Sequence, residues 1–184
     1  MKLVKVLITI FSLFSFVLSA STFTVEKSEV GFQALGRPGA LKIVGEAPDP
    51  SALKSTFTLN NNSLTGSSIL TLDALTTGIG LRDKHMKEKY LETGKFPTTE
   101  FKLNKLNLPK DSEEKIPFEG NLTLHGVSKS VNGLCKTIHS SEKLNLNFEF
   151  KLKTGDFGIS VPNFAGVTMG EEVIVSVKLE GSIK

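Results

Sequence analysis

The sequence predicts an all-β fold, an eight-stranded antiparallel barrel with a short helix near one end. Three segments alternate apolar and polar residues over most of their length: Ile116–His125, Leu144–Lys153 and Val173–Ile183. Successive side chains of a strand point to opposite faces, so this pattern indicates antiparallel strands with one buried face and one exposed face. Closing such strands into a barrel leaves no unpaired edge, and a barrel is therefore the expected arrangement.

The other strands are shorter and are separated by turn-forming residues. In chain order, apolar alternation marks them at Phe23–Val25, Glu29–Leu35, Leu41–Glu46, Ser55–Asn60, Ser67–Ala74 and Glu100–Leu108. Glycine, proline, asparagine and aspartate punctuate the chain at 36–39, 48–50, 60–62 and 109–114, as expected between strands. With the three long segments, the chain has eight or nine predicted strands.

The segment Leu81–Leu91 breaks the alternation and is rich in residues that favour helices. Met86 and Tyr90 are four residues apart, so they share one face of the predicted helix. Asp83 lies in its first turn, where the helix dipole favours a negative charge. We expect this helix to cross one end of the barrel and to end near Gly94 and Pro97.

Residues 1–20 have the three-part pattern of a secretory signal peptide: two lysines, an apolar run and a small-residue cleavage site. We therefore expect export to the periplasm and one domain over residues 21–184, which does not span a membrane once the signal peptide is removed. Without those two lysines, 20 basic residues face 19 acidic ones. No basic cluster with interleaved aromatic residues occurs, which argues against nucleic acid as a partner.

Residues with catalytic or metal-binding chemistry are few and scattered. His85, His125 and His139 have no partner at the spacing of a metal site, so we expect surface or loop histidines and no bound metal. Cys135 is the only cysteine, which excludes an intrachain disulfide and favours a small buried side chain over a reactive thiol. No nucleophile elbow, phosphate-binding loop or dinucleotide-binding glycine motif occurs, so the residues alone give no evidence for an enzyme and do not exclude one.

Two features of the sequence allow two interpretations each. The neighbours Arg82 and Asp83 are a candidate functional charge pair, but their spacing favours a role in capping and tethering the helix. Of the thirteen phenylalanines, ten lie outside the predicted signal peptide, and they are typical of a packed core. An eight-stranded barrel is nevertheless wide enough to enclose a small ligand, and periodicity leaves that choice open.

Three motifs, in order along the chain, resemble those of the YceI-like family. They are Thr77-Gly78 with residues 82–86, Phe96-Pro97 and Phe101; then residues 120–129 (GNLTLHGVSK); and then residues 155–159 (GDFGI). The chain departs from the family pattern at 31–36, where an aromatic-rich stretch with a histidine is common, and at 153–155, where an arginine is common. The resemblance covers essentially the whole of residues 21–184.

The resemblance implies a secreted, lipocalin-like barrel whose tunnel binds a polyisoprenoid or a similar long-chain amphiphile, such as an isoprenoid quinone. It implies no catalytic residues, and the lipid is a ligand rather than a cofactor. The inward strand faces would form the wall, the helix a lid, and Arg82 the contact to a polar head group. The expected ligand-binding residues are Phe32, Phe57, Leu70, Leu72, Arg82, Met86, Tyr90, Phe101, Leu103, Phe118, Leu122, Phe148, Phe150, Val175 and Val177.

Three functions follow, in order of preference. The first is a non-enzymatic periplasmic carrier or store for a long-chain lipid, serving envelope metabolism or stress response. The second is an interaction module with a side-chain-filled barrel, and the third is an enzyme with Arg82, Asp83 or His85 at the tunnel mouth. An empty tunnel would separate the first from the second, and a perturbed titratable group facing it would indicate the third. The sequence does not decide between a monomer and a homodimer.

Overall fold

Ten β-strands and one short helix make up the part of the chain that a computed structural model describes, residues 21–37, 41–109, 113–140, 142–164 and 167–184. The predicted signal peptide lies outside these residues. The strands are β1 (Ser21–Arg37), β2 (Leu41–Ala47), β3 (Leu53–Asn60), β4 (Ser63–Thr71), β5 (Thr98–Asn107), β6 (Glu113–Leu124), β7 (Val127–His139), β8 (Lys143–Lys153), β9 (Asn163–Phe164) and β10 (Val167–Ile183). The helix α1 (Gly80–His85) continues directly into a π-helical turn, Met86–Tyr90.

Eight of these strands form a closed antiparallel barrel, as predicted. They pair in the order β1, β3, β4, β5, β6, β7, β8 and β10, and β10 pairs back along the length of β1. The strand β2 pairs with the second half of β1, from Val30 to Gly36, whereas β3 pairs only with its first three residues. Among the described residues, no helix is long and apolar enough to cross a membrane.

Several predicted elements are present with different ends. Phe23–Val25 and Glu29–Leu35 belong to one strand, β1, because a bulge after Val25 lets the strand continue. The predicted strand Ser67–Ala74 ends at Thr71, where a 3₁₀ turn begins. The predicted helix Leu81–Leu91 is α-helical only as far as His85, and its remainder is the π-helical turn.

The strand β7 was missed because apolar and polar residues occur on both of its faces. Its inward side chains include Thr137, which is fully buried, as well as Val131 and Cys135. Its outward side chains include Leu134 and Ile138, which are 50% and 45% exposed. Cys135 is itself fully buried, as expected, and burial raises the pKa of its thiol to about 12.

One half of the barrel interior is filled with side chains. This closed half carries the start of β1 and the turns β3–β4 and β7–β8. Large apolar side chains fill it at 7% exposure or less, namely Phe23, Leu59, Leu64, Leu106, Leu108, Leu144 and Leu146. Such close packing is typical of protein interiors.

Four rings cover the closed half towards the middle of the barrel, and we call them the phenylalanine layer: Phe101, Phe118, Phe148 and Phe150. Their ring centroids lie 5.1–6.3 Å apart, in edge-to-face, tilted and stacked contacts. A Cβ atom at Gly133 would overlap the Glu149 carbonyl oxygen and the Phe118 ring. Glycine at this position of β7 therefore leaves the space that the ring occupies.

We predict that Phe118→Ala lowers the free energy of unfolding by about 3–5 kcal/mol, because it leaves a cavity among rings that cannot fully collapse. Urea unfolding followed by circular dichroism measures the loss. Leu134→Ala is the matched control, since Leu134 pairs with Pro117 on the outer face and is 50% exposed; its effect should stay within about 0.5 kcal/mol. An equal loss of unfolding free energy in the two variants would contradict the conclusion that the Phe118 ring is packed in the phenylalanine layer.

Candidate ligand-binding cavity

The other half of the barrel is hollow. A cavity of about 330 Å³ lies between the barrel strands and the segment that contains α1, at the lower end of the usual size of ligand sites. Its wall is mostly apolar, and its polar or charged side chains come from Thr77, Arg82, His85, Tyr90, Thr99 and Thr154. Leu41 marks the opening, because its side chain lines the cavity and is still 51% exposed.

A second cavity, of about 80 Å³, lies deeper in the barrel, next to the phenylalanine layer. Six residues line both cavities, and we call them the shared ring: Val30, Leu70, Thr99, Leu122, Phe150 and Val175. The two cavities are therefore successive chambers of one interior, separated at the level of these side chains.

Thirteen of the fifteen predicted ligand-binding residues line these chambers. The larger chamber takes Phe32, Leu70, Leu72, Arg82, Met86, Tyr90, Leu122, Phe150 and Val175, and the smaller one adds Phe57, Phe101, Phe148 and Val177. Leu103 and Phe118 line neither chamber, so their assignment to the ligand-binding wall was wrong. They point inward as predicted, but each is 3% exposed and packed in the core. Contact of the thirteen with a ligand stays a prediction.

The larger chamber also has wall residues that the sequence did not indicate. Val167 and Met169 come from the start of β10, and Ile159 and Pro162 come from the stretch between β8 and β10. Much of that stretch is irregular and has no alternation, so periodicity could not assign its side chains to a face.

Arg82 and Asp83 tether the start of the helix to the segment that precedes it. The Asp83 carboxylate accepts hydrogen bonds from the Thr76 hydroxyl (2.6 Å), the Thr77 amide (2.7 Å) and the Thr77 hydroxyl. The Arg82 guanidinium donates to the Thr77 hydroxyl and carbonyl oxygen, both at 2.8 Å. Thr76 in turn pairs through its backbone with Glu46, at the end of β2. The tethering role that the spacing favoured is present.

The charge of Asp83 is stabilised by these contacts. Partial burial raises the pKa of Asp83, but the hydrogen bonds from Thr76 and Thr77 and the charge of Lys87 lower it by more, so the pKa lies below its ordinary value. The carboxylate consequently stays ionised, and the tether stays intact, throughout the neutral range.

Tyr90 holds the other end of the same segment. Its hydroxyl donates to the backbone carbonyl oxygen of Asn163 at 3.3 Å and accepts from the backbone N–H of Asn163 at 3.1 Å. Asn163 begins β9, which pairs with the start of β10. The helical segment is thus fixed to β2 at its start and to the β9–β10 region at its end, with Met86 and Tyr90 on the cavity wall between them.

The alternation of Ile116–His125 predicts an outward strand position for His125, but this residue lies in the turn between β6 and β7. His125 and Gly126 both have positive φ angles, 52° and 75°, which is typical of the tight turns that connect two antiparallel strands. The loop position was expected, but the side chain is only 12% exposed. It is therefore a loop histidine, as expected, but one whose side chain is largely covered.

The contacts of His125 join three parts of the chain. Its Nε2 lies 2.7 Å from the Glu92 carboxylate and its Nδ1 lies 3.2 Å from the Phe157 carbonyl oxygen. The Phe96 ring packs against the imidazole with centroids 4.3 Å apart. Across the described residues, no three His, Cys, Asp or Glu side chains lie close enough to hold a metal ion together.

We predict that Asp83→Asn lowers the free energy of unfolding by about 1–3 kcal/mol at neutral pH, because charged hydrogen bonds become neutral ones. A carboxylate whose pKa is lower in the folded state stabilises the fold above the unfolded value of about 3.9. The difference between the variant and the wild type should therefore disappear as the pH falls through the folded-state pKa. Urea unfolding between about pH 2 and 7 measures it.

Asp73→Asn is the control for this experiment, since Asp73 is an exposed carboxylate only ten residues away. Its effect should remain within about 0.5 kcal/mol at every pH. A loss for Asp83→Asn that is unchanged down to the acid end would show that the charge does not stabilise the tether.

Comparison with known proteins places the chain in a family. Residues 19–181 match the YceI-like domain. Protein YceI of Salmonella arizonae is 29% identical over an alignment that covers 71% of this chain and 64% of that protein, so the chain spans just under two thirds of that relative's length.

Solved structures share the fold. A polyisoprenoid-binding domain from Saccharophagus degradans is 12% identical with a TM-score of 0.64, over 89% of this chain and 98% of that domain. BcnA from Burkholderia cenocepacia is 12% identical with a TM-score of 0.67, over 84% of this chain and 96% of that structure. Because the family match spans the barrel from the start of β1 to residue 181 in β10, the chain belongs to the YceI-like family.

Proposed function

We propose that this protein is a non-enzymatic carrier or store that holds one isoprenoid lipid in the hollow half of its barrel. The observation that carries the proposal is the apolar chamber of about 330 Å³ behind a solvent-exposed rim. The hollow half argues against the alternative of a barrel filled throughout with side chains. The periplasmic location rests on the predicted signal peptide at residues 1–20.

The distribution of apolar and polar groups suits an amphiphile. Burial of each methylene-sized unit is worth about 0.8 kcal/mol before the cost of ordering the chain, so an apolar tail needs no polar contacts inside the chamber. Arg82 and His85 line the chamber from α1. Leu81, in the same helix, is 55% exposed, so this helix lies at the rim of the chamber. A polar head group at this rim would reach their side chains and remain close to water.

The isoprenoid class is suggested by a relative and is consistent with the wall. The domain from Saccharophagus degradans that shares the fold is a polyisoprenoid-binding domain. Branched side chains and Met86 and Met169 line the larger chamber here, and a pliable thioether adapts to a chain that carries methyl branches. An isoprenoid alcohol or a quinone with an isoprenoid tail fits this description.

We predict that Val175→Trp weakens binding of a short-tailed ubiquinone, because the indole would occupy part of the chamber that the tail needs. Val175 lines both chambers, whereas its neighbour Ile174 does not and has the opposite orientation on β10. Ile174→Trp is therefore the matched control. The protein is incubated with the quinone and passed through a sizing column, and the retained quinone is measured by its absorbance.

The wild type and Ile174→Trp should retain about one quinone per chain, and Val175→Trp should bind at least about tenfold more weakly, the equivalent of 1.4 kcal/mol. Equal retention by the two variants would place the quinone outside the chamber. No retention by the wild type would reject quinones as ligands.

A further inference from the structure

The hollow part of the barrel ends at a defined depth along β8. Of its inward side chains, Leu152 lines the larger chamber, Phe150 lines both chambers and Phe148 lines the smaller one. Next along the same face, Leu146 and Leu144 are buried at 2% and 0% exposure in the closed half. From Leu152 to Phe148, a rise of about 3.3 Å per residue gives a depth of roughly 13 Å.

The neighbouring strand β10 has the same order of levels. Val173 lines the larger chamber, Val175 lines both, and Val177 and Leu179 line the smaller one. Val175 pairs directly with Phe150 across the two strands. The boundary between the chambers therefore lies at the same depth on both strands.

Phe150 has the largest side chain of the shared ring, and its position is supported from several sides. Its ring stacks on Phe101 at a centroid distance of 6.1 Å and an angle of 18°, and it meets Phe118 edge-on at 6.1 Å. Across β7, its partner is Gly133, which has no side chain. Phe150 is 6% exposed, so the surrounding rings hold it at the boundary.

The smaller chamber beyond this boundary has a volume of about 80 Å³, well below the usual size of ligand sites. It can extend the larger chamber, and Phe150 has the largest of the side chains that line both chambers.

We propose that Phe150 is a chain-length stop, so that this protein selects isoprenoid lipids whose tails end at the shared ring and rejects longer ones. This inference rests on the proposed function and specifies its ligand class. A tail that reaches the ring fills the larger chamber, whereas a longer tail must displace the phenylalanine layer or leave carbons exposed to water at the rim. Replacing the ring by a smaller side chain joins the chambers and moves the stop deeper.

The test measures dissociation constants for geraniol, farnesol, geranylgeraniol and solanesol, a series of rising chain length, by native mass spectrometry without detergent. The proteins are the wild type, Phe150→Ala, Phe150→Leu and the control Leu152→Ala. The control removes a side chain from the same strand face but enlarges only the larger chamber. Phe150→Leu gives a second measurement of the stop should the alanine variant fail to fold.

The affinity of the wild type should rise along the series and then fall at one member. In Phe150→Ala, and to a smaller extent in Phe150→Leu, that fall should move to a longer alcohol, with a gain of at least about tenfold for the first alcohol that the wild type rejects. Leu152→Ala should change affinities without moving the fall.

Two results would overturn the inference and leave the proposed function intact. One is tight binding of solanesol by the wild type, and the other is an unchanged length limit in both Phe150 variants. Failure of the wild type to bind any of the four alcohols or the ubiquinone would instead reject the proposed function, and the length stop with it.

Discussion

The interior of an eight-stranded barrel is just wide enough to be filled by side chains or to hold one small ligand, and in this protein the phenylalanine layer separates the two conditions. Its rings come from β5, β6 and β8 and meet in the middle of the barrel. They fit because Gly120 and Gly133 occupy the places where a side chain would overlap the rings of Phe101 and Phe118. On one side of the layer the barrel interior is filled with side chains, and on the other side it contains the larger chamber.

A hollow half has a mechanical consequence for the chain that covers it. The segment from α1 to Glu92 covers the chamber and packs against the core through Met86, Tyr90 and Leu91. Polar contacts also fix it: Asp83 to Thr76 and Thr77, Tyr90 to Asn163, and Glu92 to His125. Each contact reaches a different part of the barrel, so the cover and the wall are positioned together while the chamber itself stays apolar.

The strands could be predicted from the sequence wherever burial and polarity agree, as in β8, whose inward residues are all large and apolar. In β7 the agreement fails, because Thr137 is buried and Leu134 is exposed, and the strand was missed. The division between core and chamber was beyond prediction for a different reason. Phe118 and Phe148 have the same local pattern, but whether a side chain meets another ring or empty space depends on residues of distant strands. The wall residues near Pro162 lie in irregular chain, where no period exists.

The central claim is that the hollow half holds one lipid. Native mass spectrometry of the protein, expressed from its full sequence and isolated from a cell-envelope extract without detergent, tests this claim most directly. The account predicts a mass excess of one lipid per chain that organic extraction removes, with an isoprenoid in the extract. A ligand-free protein that also fails to take up added farnesol or ubiquinone would contradict it.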